Sequence, residues 1–178
     1  MTQPASLTCS ISNTSLGKIL VASSPQGICA LYIGEQTDTL LQTLSDDFPL
    51  ADTLLTRLSE VPSHAADWHQ AALDIAIGLR TDAPPLHLHG TGFQQAVWNY
   101  LQSTPPGTII SPDELAAATG LPDAGRAVAK ACHGNKIAVL IPCHRVQSTD
   151  KKLGYRWGEA LQQLLLEREQ KGVGEGTG

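Results

Sequence analysis

Hydrophobic and polar residues follow strand-like and helix-like patterns through the first half of the chain. Residues 18–22 and 28–33 are two apolar runs separated by a Ser-Ser-Pro-Gln-Gly cluster, and they predict a β-hairpin. Residues 38–44 and 50–58 show helical spacing on either side of a Phe-Pro pair. Residues 65–79 form a stronger helical pattern, which ends before an Ala-Pro-Pro run. We therefore predict a hairpin followed by helices.

A strand-like alternation follows at residues 86–89, where His87 and His89 would share one face. Such a pair is a candidate for metal binding. No carboxylate or Cys stands beside it at ligand spacing in the sequence, which favours a solvated strand face. A Gly-Thr-Gly run at residues 90–92 then predicts the boundary between two domains.

The second half of the chain has the pattern of a helix-turn-helix. An apolar stripe over residues 93–101 predicts one helix. Ser111 as N-cap, Pro112 at the first helical position and Glu114 two residues later predict the capped start of a second helix. After a Gly-Leu-Pro-Asp turn, residues 124–132 predict a third helix, and the last two helices form the motif.

The third of these helices consists almost entirely of Ala and Gly, apart from Arg126, Val128, Lys130 and Cys132. Small residues of this kind allow close packing between helices, which is a purely structural interpretation. They also make a smooth, narrow helix that can enter a DNA groove while Arg126 and Lys130 supply positive charge. Residue types alone leave both interpretations open.

A short apolar stretch precedes a Cys-His-Arg string. Residues 137–141 have the composition of a strand, which Pro142 ends because it lacks an N–H group. Cys143, His144 and Arg145 follow. Most buried cysteines are inert, but a neighbouring His can accept the thiol proton and a nearby Arg can stabilise the negative sulfur. We therefore treat Cys143 as a candidate nucleophile.

Composition limits the functions open to this chain. With 178 residues, 42% hydrophobic and 16% charged, it can fold as one large or two small domains. An aromatic content of 4% argues against a stacking platform for single-stranded nucleic acid. The four cysteines show neither paired nor metal-type spacing, so we expect free thiols in a reducing compartment. No leader or membrane-spanning pattern is present, which predicts an intracellular protein.

The charge is distributed unevenly along the chain. The net charge of −5 argues against DNA binding at first sight, but residues 126–178 hold nine Lys and Arg against five Asp and Glu. That is a local charge of +4, so residues 1–125 carry −9. Positive charge therefore gathers around Cys143, where a polyanion would need it.

Residues 141–146, Ile-Pro-Cys-His-Arg-Val, resemble the active-site signature of the O6-alkylguanine-DNA alkyltransferases, also called methylated-DNA–protein-cysteine methyltransferases. The resemblance covers about residues 10–171. It implies an α/β N-terminal domain with a small antiparallel sheet over residues 1–89. It also implies a C-terminal winged-helix-like, helix-turn-helix α domain over residues 90–171. We expect a flexible tail over residues 172–178.

The resemblance implies DNA repair by direct, stoichiometric transfer of an alkyl group from O6-alkylguanine in DNA to Cys143. The helix-turn-helix would lie in the minor groove of double-stranded DNA, and the alkylated guanine would be flipped out of the stack. Because the thioether product is stable, each molecule would act once, with no cofactor. We expect a monomer that acts in the cytoplasm, associated with the nucleoid if bacterial, and that has no membrane partner.

The resemblance also implies roles for individual residues. His144 would take the thiol proton through a water molecule while Glu169 orients the imidazole, and Asn135 would join the helix-turn-helix to the active-site strand. Arg126 would fill the stack that the flipped guanine leaves. The implied DNA-binding residues are Ser111, Gly125, Arg126, Ala127 and Lys130. The implied lesion pocket is formed by Pro142, Val146, Tyr155 and Arg156, with the backbone N–H of Arg156 contacting the base.

The sequence departs from the family pattern at Pro112, where the family has a Tyr whose hydroxyl contacts a phosphate and the guanine. Pro cannot donate a hydrogen bond, so this role is missing. Some eukaryotic members bind zinc near the N-terminus through Cys and His. Cys9 and Cys29 do not reproduce that set, so we predict no metal.

Two other function classes stay open. An alkylguanine sensor would bind modified DNA and leave Cys143 unmodified, as the loss of the Tyr at position 112 would favour. A thiol hydrolase using Cys143, His144 and Glu169 would turn over repeatedly, and it would need neither the small-residue helix nor the C-terminal positive charge.

Overall fold

The computed structural model describes residues 3–148 and 154–175, with side chains described as far as Gly172. The chain forms two compact units. The first contains the residues up to His89 together with Lys136–Leu140. The second contains Gly90–Asn135 and the chain from Ile141 onward. In the described ranges, no helix combines the length and the apolar character that crossing a membrane requires.

The first unit is a small sheet covered by two helices. Its elements are β1 (Ser6–Thr14), β2 (Gly17–Ser24), β3 (Gly27–Gly34), α1 (Thr37–Asp47), β4 (Asp52–Thr56), a 3₁₀ turn (Leu58–Glu60) and α2 (Ser63–Ala76). The second unit is helical. Its elements are α3 (Gly92–Ser103), α4 (Pro112–Ala118), α5 (Gly125–His133), a second 3₁₀ turn (Cys143–Arg145) and α6 (Glu159–Glu175).

The sheet has the strand order β3-β2-β1-β4. The predicted hairpin is confirmed as β2 and β3, which pair antiparallel, and β1 pairs antiparallel with β2. The fourth strand, β4, runs parallel to β1, so the sheet is mixed and not wholly antiparallel. Both faces of β2 and β3 are buried, because α1 and α2 pack on this part of the sheet.

The helix predicted over residues 50–58 is wrong, because these residues contain the edge strand β4. The Leu residues that suggested helical spacing are exposed, Leu54 by 61% and Leu55 by 48%. Pairing of the β4 backbone with β1 therefore decides the conformation here, and not burial of an apolar helical face. Residues 86–89 also do not form a strand, and Leu86 alone makes a single bridge to Ile28.

The helix-turn-helix predicted in the second half is confirmed. Ser111 caps α4, its hydroxyl accepting from the Glu114 N–H at 3.2 Å while the Glu114 carboxylate accepts from the Ser111 N–H at 2.8 Å. The buried side chain of Trp98 on α3 donates from Nε1 to the Ala131 carbonyl on α5 at 2.9 Å. The three helices α3, α4 and α5 therefore pack into one body.

Residues 137–141 do not form the predicted strand. Ile137 makes one bridge to Leu31, and Val139 then adopts a left-handed conformation with φ of 68°. A β-branched residue in this conformation costs about 1–2 kcal/mol, which the burial of Ile137 and Ala138 offsets. The residues of this stretch are apolar because they are buried where the chain reverses direction, and not because they form a β-strand.

The last helix, α6, runs to Glu175 and so extends into the tail predicted over residues 172–178. Of the tail predicted over residues 172–178, the last three residues lie outside the described part of the chain. The flexibility of the tail therefore stays a prediction.

Candidate active site

Cys143 begins a single 3₁₀ turn. Pro142 lies at its N-cap, the Arg145 N–H donates to the Pro142 carbonyl at 3.1 Å, and the Val146 N–H donates to the Cys143 carbonyl at 3.1 Å. A 3₁₀ turn has three residues per turn, so consecutive side chains diverge by about 120°. Cys143, His144 and Arg145 therefore point in three different directions.

Side-chain amides hold this turn in place. The Asn135 Nδ2 donates to the Ile141 carbonyl at 3.0 Å, just before the turn. On the other side, the buried Gln162 Nε2 of α6 donates to the carbonyls of His144 and Val146, both at 3.1 Å. Both amides are buried, so these bonds form away from competing water and fix the backbone that carries the thiol.

His144 is held by a carboxylate. Its Nε2 lies 2.7 Å from the Glu169 Oε1, and the ring is 1% exposed. Because a carboxylate accepts, Nε2 carries the proton of the neutral ring, which leaves Nδ1 with a lone pair. Nδ1 is buried and has no hydrogen-bond partner among the described residues. The ring is thus oriented to accept a proton at Nδ1.

Arg145 does not approach the sulfur as the sequence suggested. Its Nε and Nη2 donate to the two Glu169 oxygens at 3.0 and 2.9 Å, a bidentate pair. Its Nη1 donates to the carbonyl and the hydroxyl of Thr104 at 2.7 and 2.9 Å. The divergence of side chains around the 3₁₀ turn explains the difference, since Arg145 points toward α6.

Glu169 collects donors from three parts of the unit: His144, Arg145 and the Gly107 N–H, which lies 2.9 Å from Oε2. Burial by itself raises the pKa of Glu169, but the hydrogen bonds from these groups lower the pKa to about 2. Thr104 and Gly107 have no local sequence signal beyond a Thr-Pro-Pro-Gly turn, so sequence reasoning missed both.

The Cys143 thiol is buried, with 3% of the residue exposed. Burial raises its pKa well above the ordinary value, the adjacent Cys132 thiol raises it further, and a hydrogen bond from Asn135 lowers it. Cys143 is therefore a thiol at neutral pH, and a base must remove its proton before it can attack.

Cys143 faces a small pocket. Its lining among the described residues consists of Cys132, Cys143, Val146, Gly154, Tyr155, Arg156 and Gln162. The pocket encloses about 10 Å³, enough for one water molecule, so a larger ligand requires its walls to move. The Tyr155 hydroxyl is buried and has no partner among the described residues. The Arg156 Nη1 donates to the Asn135 carbonyl at 2.9 Å.

The residues expected to form the lesion pocket are thus mostly brought together. Val146, Tyr155 and Arg156 line the pocket with Cys143, whereas Pro142 is buried at the N-terminal end of the 3₁₀ turn. Sequence reasoning missed Cys132 and Gln162. Gln162 is buried on α6 whereas Leu164 on the same helix is 46% exposed, so residue type alone did not mark the inward face of this helix.

The predicted DNA-binding residues fall into two groups. Arg126, Ala127 and Lys130 are exposed on α5, as a contact surface requires. Gly125 is buried against α4, and a Cβ there would lie 2.1 Å from the Asp113 Oδ1. Ser111 is half-buried as the cap of α4, so Gly125 and Ser111 shape the helix-turn-helix itself.

The first unit contains a cluster that sequence spacing did not reveal. The Cys29 Sγ lies 3.9 Å from both the His87 Nδ1 and the His89 Nε2, and the three ligand atoms lie within 4.8 Å of one another. Burial lowers the pKa of His87, and burial with the charges of His87 and Lys136 lowers that of His89 to about 4. The two rings are half-buried and neutral, so the predicted solvated strand face is wrong. Together with Cys29 they could hold a metal ion.

Comparison with known proteins agrees with this geometry. The 6-O-methylguanine DNA methyltransferase DNA-binding domain matches residues 92–171. The Escherichia coli bifunctional transcriptional activator/DNA repair enzyme Ada is 42% identical over 164 residues, which is 89% of this chain and 44% of that protein. The Salmonella typhimurium regulatory protein ada is 42% identical, with 42% of its length covered. This chain therefore spans less than half the length of these two relatives.

Other relatives match over nearly their whole length. The methylated-DNA–protein-cysteine methyltransferase of Debaryomyces hansenii is 32% identical over 174 residues, covering 91% of this chain and 90% of that protein. The crystal structure of the Mycobacterium tuberculosis O6-methylguanine methyltransferase is 31% identical, with a TM-score of 0.68 and 93% of each chain covered. Sequence, fold and site thus agree: the chain belongs to the methylated-DNA–protein-cysteine methyltransferase family.

Proposed function

We propose that this protein repairs DNA by transferring the alkyl group of O6-alkylguanine directly to Cys143. The observation that carries the proposal is the Cys143 turn, in which a buried thiol shares a pocket with Tyr155 while the next residue, His144, is oriented by Glu169. A buried thiol, a base and a carboxylate that orients the base are the parts that activation of a sulfur nucleophile needs.

The proton is moved by His144. Glu169 holds the Nε2 proton, so the lone pair of Nδ1 accepts the Cys143 proton, through a water molecule. The sulfur then attacks the alkyl carbon, the C–S bond forms and the bond from carbon to the guanine O6 breaks. The proton ends on the guanine that leaves. Glu169, negative at neutral pH, stabilises the transient positive charge on His144.

DNA contact is assigned to α5. Arg126 and Lys130 are exposed there beside Ala127, so the helix offers positive charge on a narrow surface. A homologous Mycobacterium tuberculosis protein, 30% identical with a TM-score of 0.68, has been crystallised in complex with DNA. We expect the substrate to be double-stranded DNA in which the alkylated guanine is turned out of the stack and Arg126 fills its place.

The product is a thioether on Cys143, so each molecule acts once, and this transfer needs no metal or organic cofactor. We expect a monomer that works in the cytoplasm. The hydrogen bond from His144 to Glu169, which leaves Nδ1 as the proton acceptor, argues against an alkylguanine sensor without transfer. The exposed basic residues of α5 argue against a hydrolase of small substrates.

The test is mass spectrometry of the protein after incubation with a DNA duplex that contains one O6-methylguanine. We expect the protein to gain about 14 Da, one methyl group in place of a proton, located on the peptide that contains Cys143. Undamaged duplex is the matched control, and Cys143→Ser should bind the damaged duplex without gaining mass. Methylation of Cys9, Cys29 or Cys132 instead, or binding without any gain, would overturn the proposal.

A further inference from the structure

The pocket of Cys143 contains a second thiol that alkyl transfer does not use. Cys132 lies in the last turn of α5, is 8% exposed and lines the pocket together with Cys143. The Cys132 thiol lies near enough to contribute to the raised pKa of Cys143. The remaining cysteines, Cys9 and Cys29, are buried in the first unit.

The backbone holds the two thiols in one arrangement. The Cys132 carbonyl accepts from the Asn135 N–H at 3.2 Å, so the end of α5 is fixed next to Asn135. The Asn135 side chain in turn holds the Ile141 carbonyl at 3.0 Å, which fixes the chain just before Cys143. One buried residue therefore connects the backbone segments that carry both sulfurs, and their proximity does not depend on flexible side chains alone.

We infer that Cys132 and Cys143 form a reversible disulfide when the protein meets a hydroperoxide, and that Cys132 thereby protects the nucleophile from irreversible oxidation. The pocket has room for about one water molecule, and hydrogen peroxide, with two heavy atoms, is the hydroperoxide that needs the smallest movement of the pocket walls. The inference concerns a second chemistry of the pocket and holds whether or not the alkyl group is transferred.

The reaction has two balanced steps. The Cys143 sulfur attacks one peroxide oxygen and the O–O bond breaks, giving a sulfenic acid on Cys143 and one water, with sulfur oxidised and peroxide reduced. The Cys132 sulfur then attacks the sulfenic sulfur, forming the S–S bond and releasing a second water. His144, whose Nδ1 has no partner among the described residues, accepts the proton of Cys143 in the first step, the same role that we propose for it in alkyl transfer.

The position of Cys132 decides the outcome. A sulfenic acid with no thiol beside it is oxidised further to sulfinic acid, which ordinary thiols do not reduce. Because Cys132 lines the same pocket, the intramolecular step competes with the next peroxide molecule at a high effective concentration. The disulfide would block both alkyl transfer and further oxidation until a dithiol reductant restores the two thiols.

The test treats the reduced full-length protein with hydrogen peroxide and digests it without a reductant. We expect one cross-linked peptide pair containing Cys132 and Cys143, with a loss of about 2 Da relative to the two thiols. In Cys132→Ser, Cys143 should instead gain about 32 Da as sulfinic acid. Cys29→Ser, which removes a buried thiol from the first unit, is the matched control and should cross-link like wild type.

Recovery of alkyl transfer is the second readout, with each variant compared to its own untreated sample. After peroxide and then dithiothreitol, wild type should regain most of its transfer and Cys132→Ser should regain little. Cross-links to Cys9 or Cys29, sulfinic Cys143 in wild type, two unreacted thiols, or equal recovery in both proteins would each overturn the inference. Because the cross-link is measured by mass, its absence is distinguishable from failure of alkyl transfer.

Discussion

Replacing Glu169 by Gln is the sharpest test of the site. The Glu169 side chain is 15% exposed, and its two oxygens accept from His144, from Arg145 and from the Gly107 N–H. Gln keeps the shape but has a single acceptor oxygen, and its NH₂ group must face a donor. The substitution therefore leaves donors unpaired in a buried site and removes the charge that holds Arg145 and orients His144.

The pKa of Glu169 sets the size of the effect. Hydrogen bonds outweigh burial and lower it from 4.5 to about 2, which corresponds to about 3 kcal/mol of folding free energy at neutral pH. A carboxyl group whose pKa is lower in the folded protein stabilises the fold. Its contribution is complete above the unfolded-state pKa of 4.5, and it is lost as the pH falls toward the folded-state pKa of about 2. Wild type should therefore lose about 2 kcal/mol from this group between pH 7 and pH 3, and Glu169→Gln should not.

The measurement is urea unfolding of both proteins at several pH values, followed by tryptophan fluorescence, to which Trp98 and Trp157 contribute from the second unit and Trp68 from the first. Glu167→Gln is the control, because it removes the same charge from the exposed face of the same helix. We expect a difference of about 3 kcal/mol at pH 7 that shrinks as the pH is lowered. A difference below about 1 kcal/mol, or one that does not change with pH, would show that the cluster contributes no more than a surface ion pair.

Three further predictions concern DNA contact, the leaving group and the thiol. Arg126→Ala should slow transfer from duplex DNA by roughly tenfold or more. It should spare the reaction with free O6-benzylguanine, because a free base leaves no stack to fill. Equal loss on both substrates in single-turnover assays would contradict the assigned role. Pro112→Tyr should raise single-turnover transfer at saturating DNA by less than the 10²–10⁴-fold typical of a well-placed general acid, at a stability cost of about 0.4–1 kcal/mol. If wild type is already fast and unchanged by this substitution, another group supplies the donor. Asn135→Ala should destabilise the protein by about 0.5–1.5 kcal/mol, because it removes one of the two hydrogen bonds that the Ile141 carbonyl accepts. It should also shift iodoacetamide labelling of Cys143 to higher pH, whereas the exposed Asn99→Ala should do neither.

Sequence patterns predicted the elements whose conformation is decided locally. The capping box at Ser111 needs only four consecutive residues, and the hairpin of β2 and β3 needs two apolar runs and a turn, so both are confirmed. The position of β4 depends on pairing with β1, which is distant in sequence, and local spacing pointed to a helix instead.

Within the site, short motifs predicted which residues matter, but they were poorer at predicting what each residue contacts. The Cys-His-Arg string placed three functional groups together in the sequence. The 3₁₀ turn that points their side chains in different directions has no sequence pattern, so Arg145 was expected at the sulfur. Cys29 and the two His residues near it are 58 and 60 positions apart, which no local motif can show. Contacts made by folding over long distances are the part that sequence reasoning missed.

The five residues Lys136–Leu140 belong to the first unit although the residues on both sides of them belong to the second. The chain therefore passes between the units after His89, after Asn135 and after Leu140, and no single cut separates them. A fragment that starts at Gly90 would keep Ile137 and Ala138 but lose Leu31, whose N–H and carbonyl bond this segment at 2.9 and 3.0 Å. The segment would then expose apolar side chains directly before the nucleophile. Truncating the gene at the apparent domain boundary is thus expected to yield a fragment that is less stable than the same residues in the full-length protein.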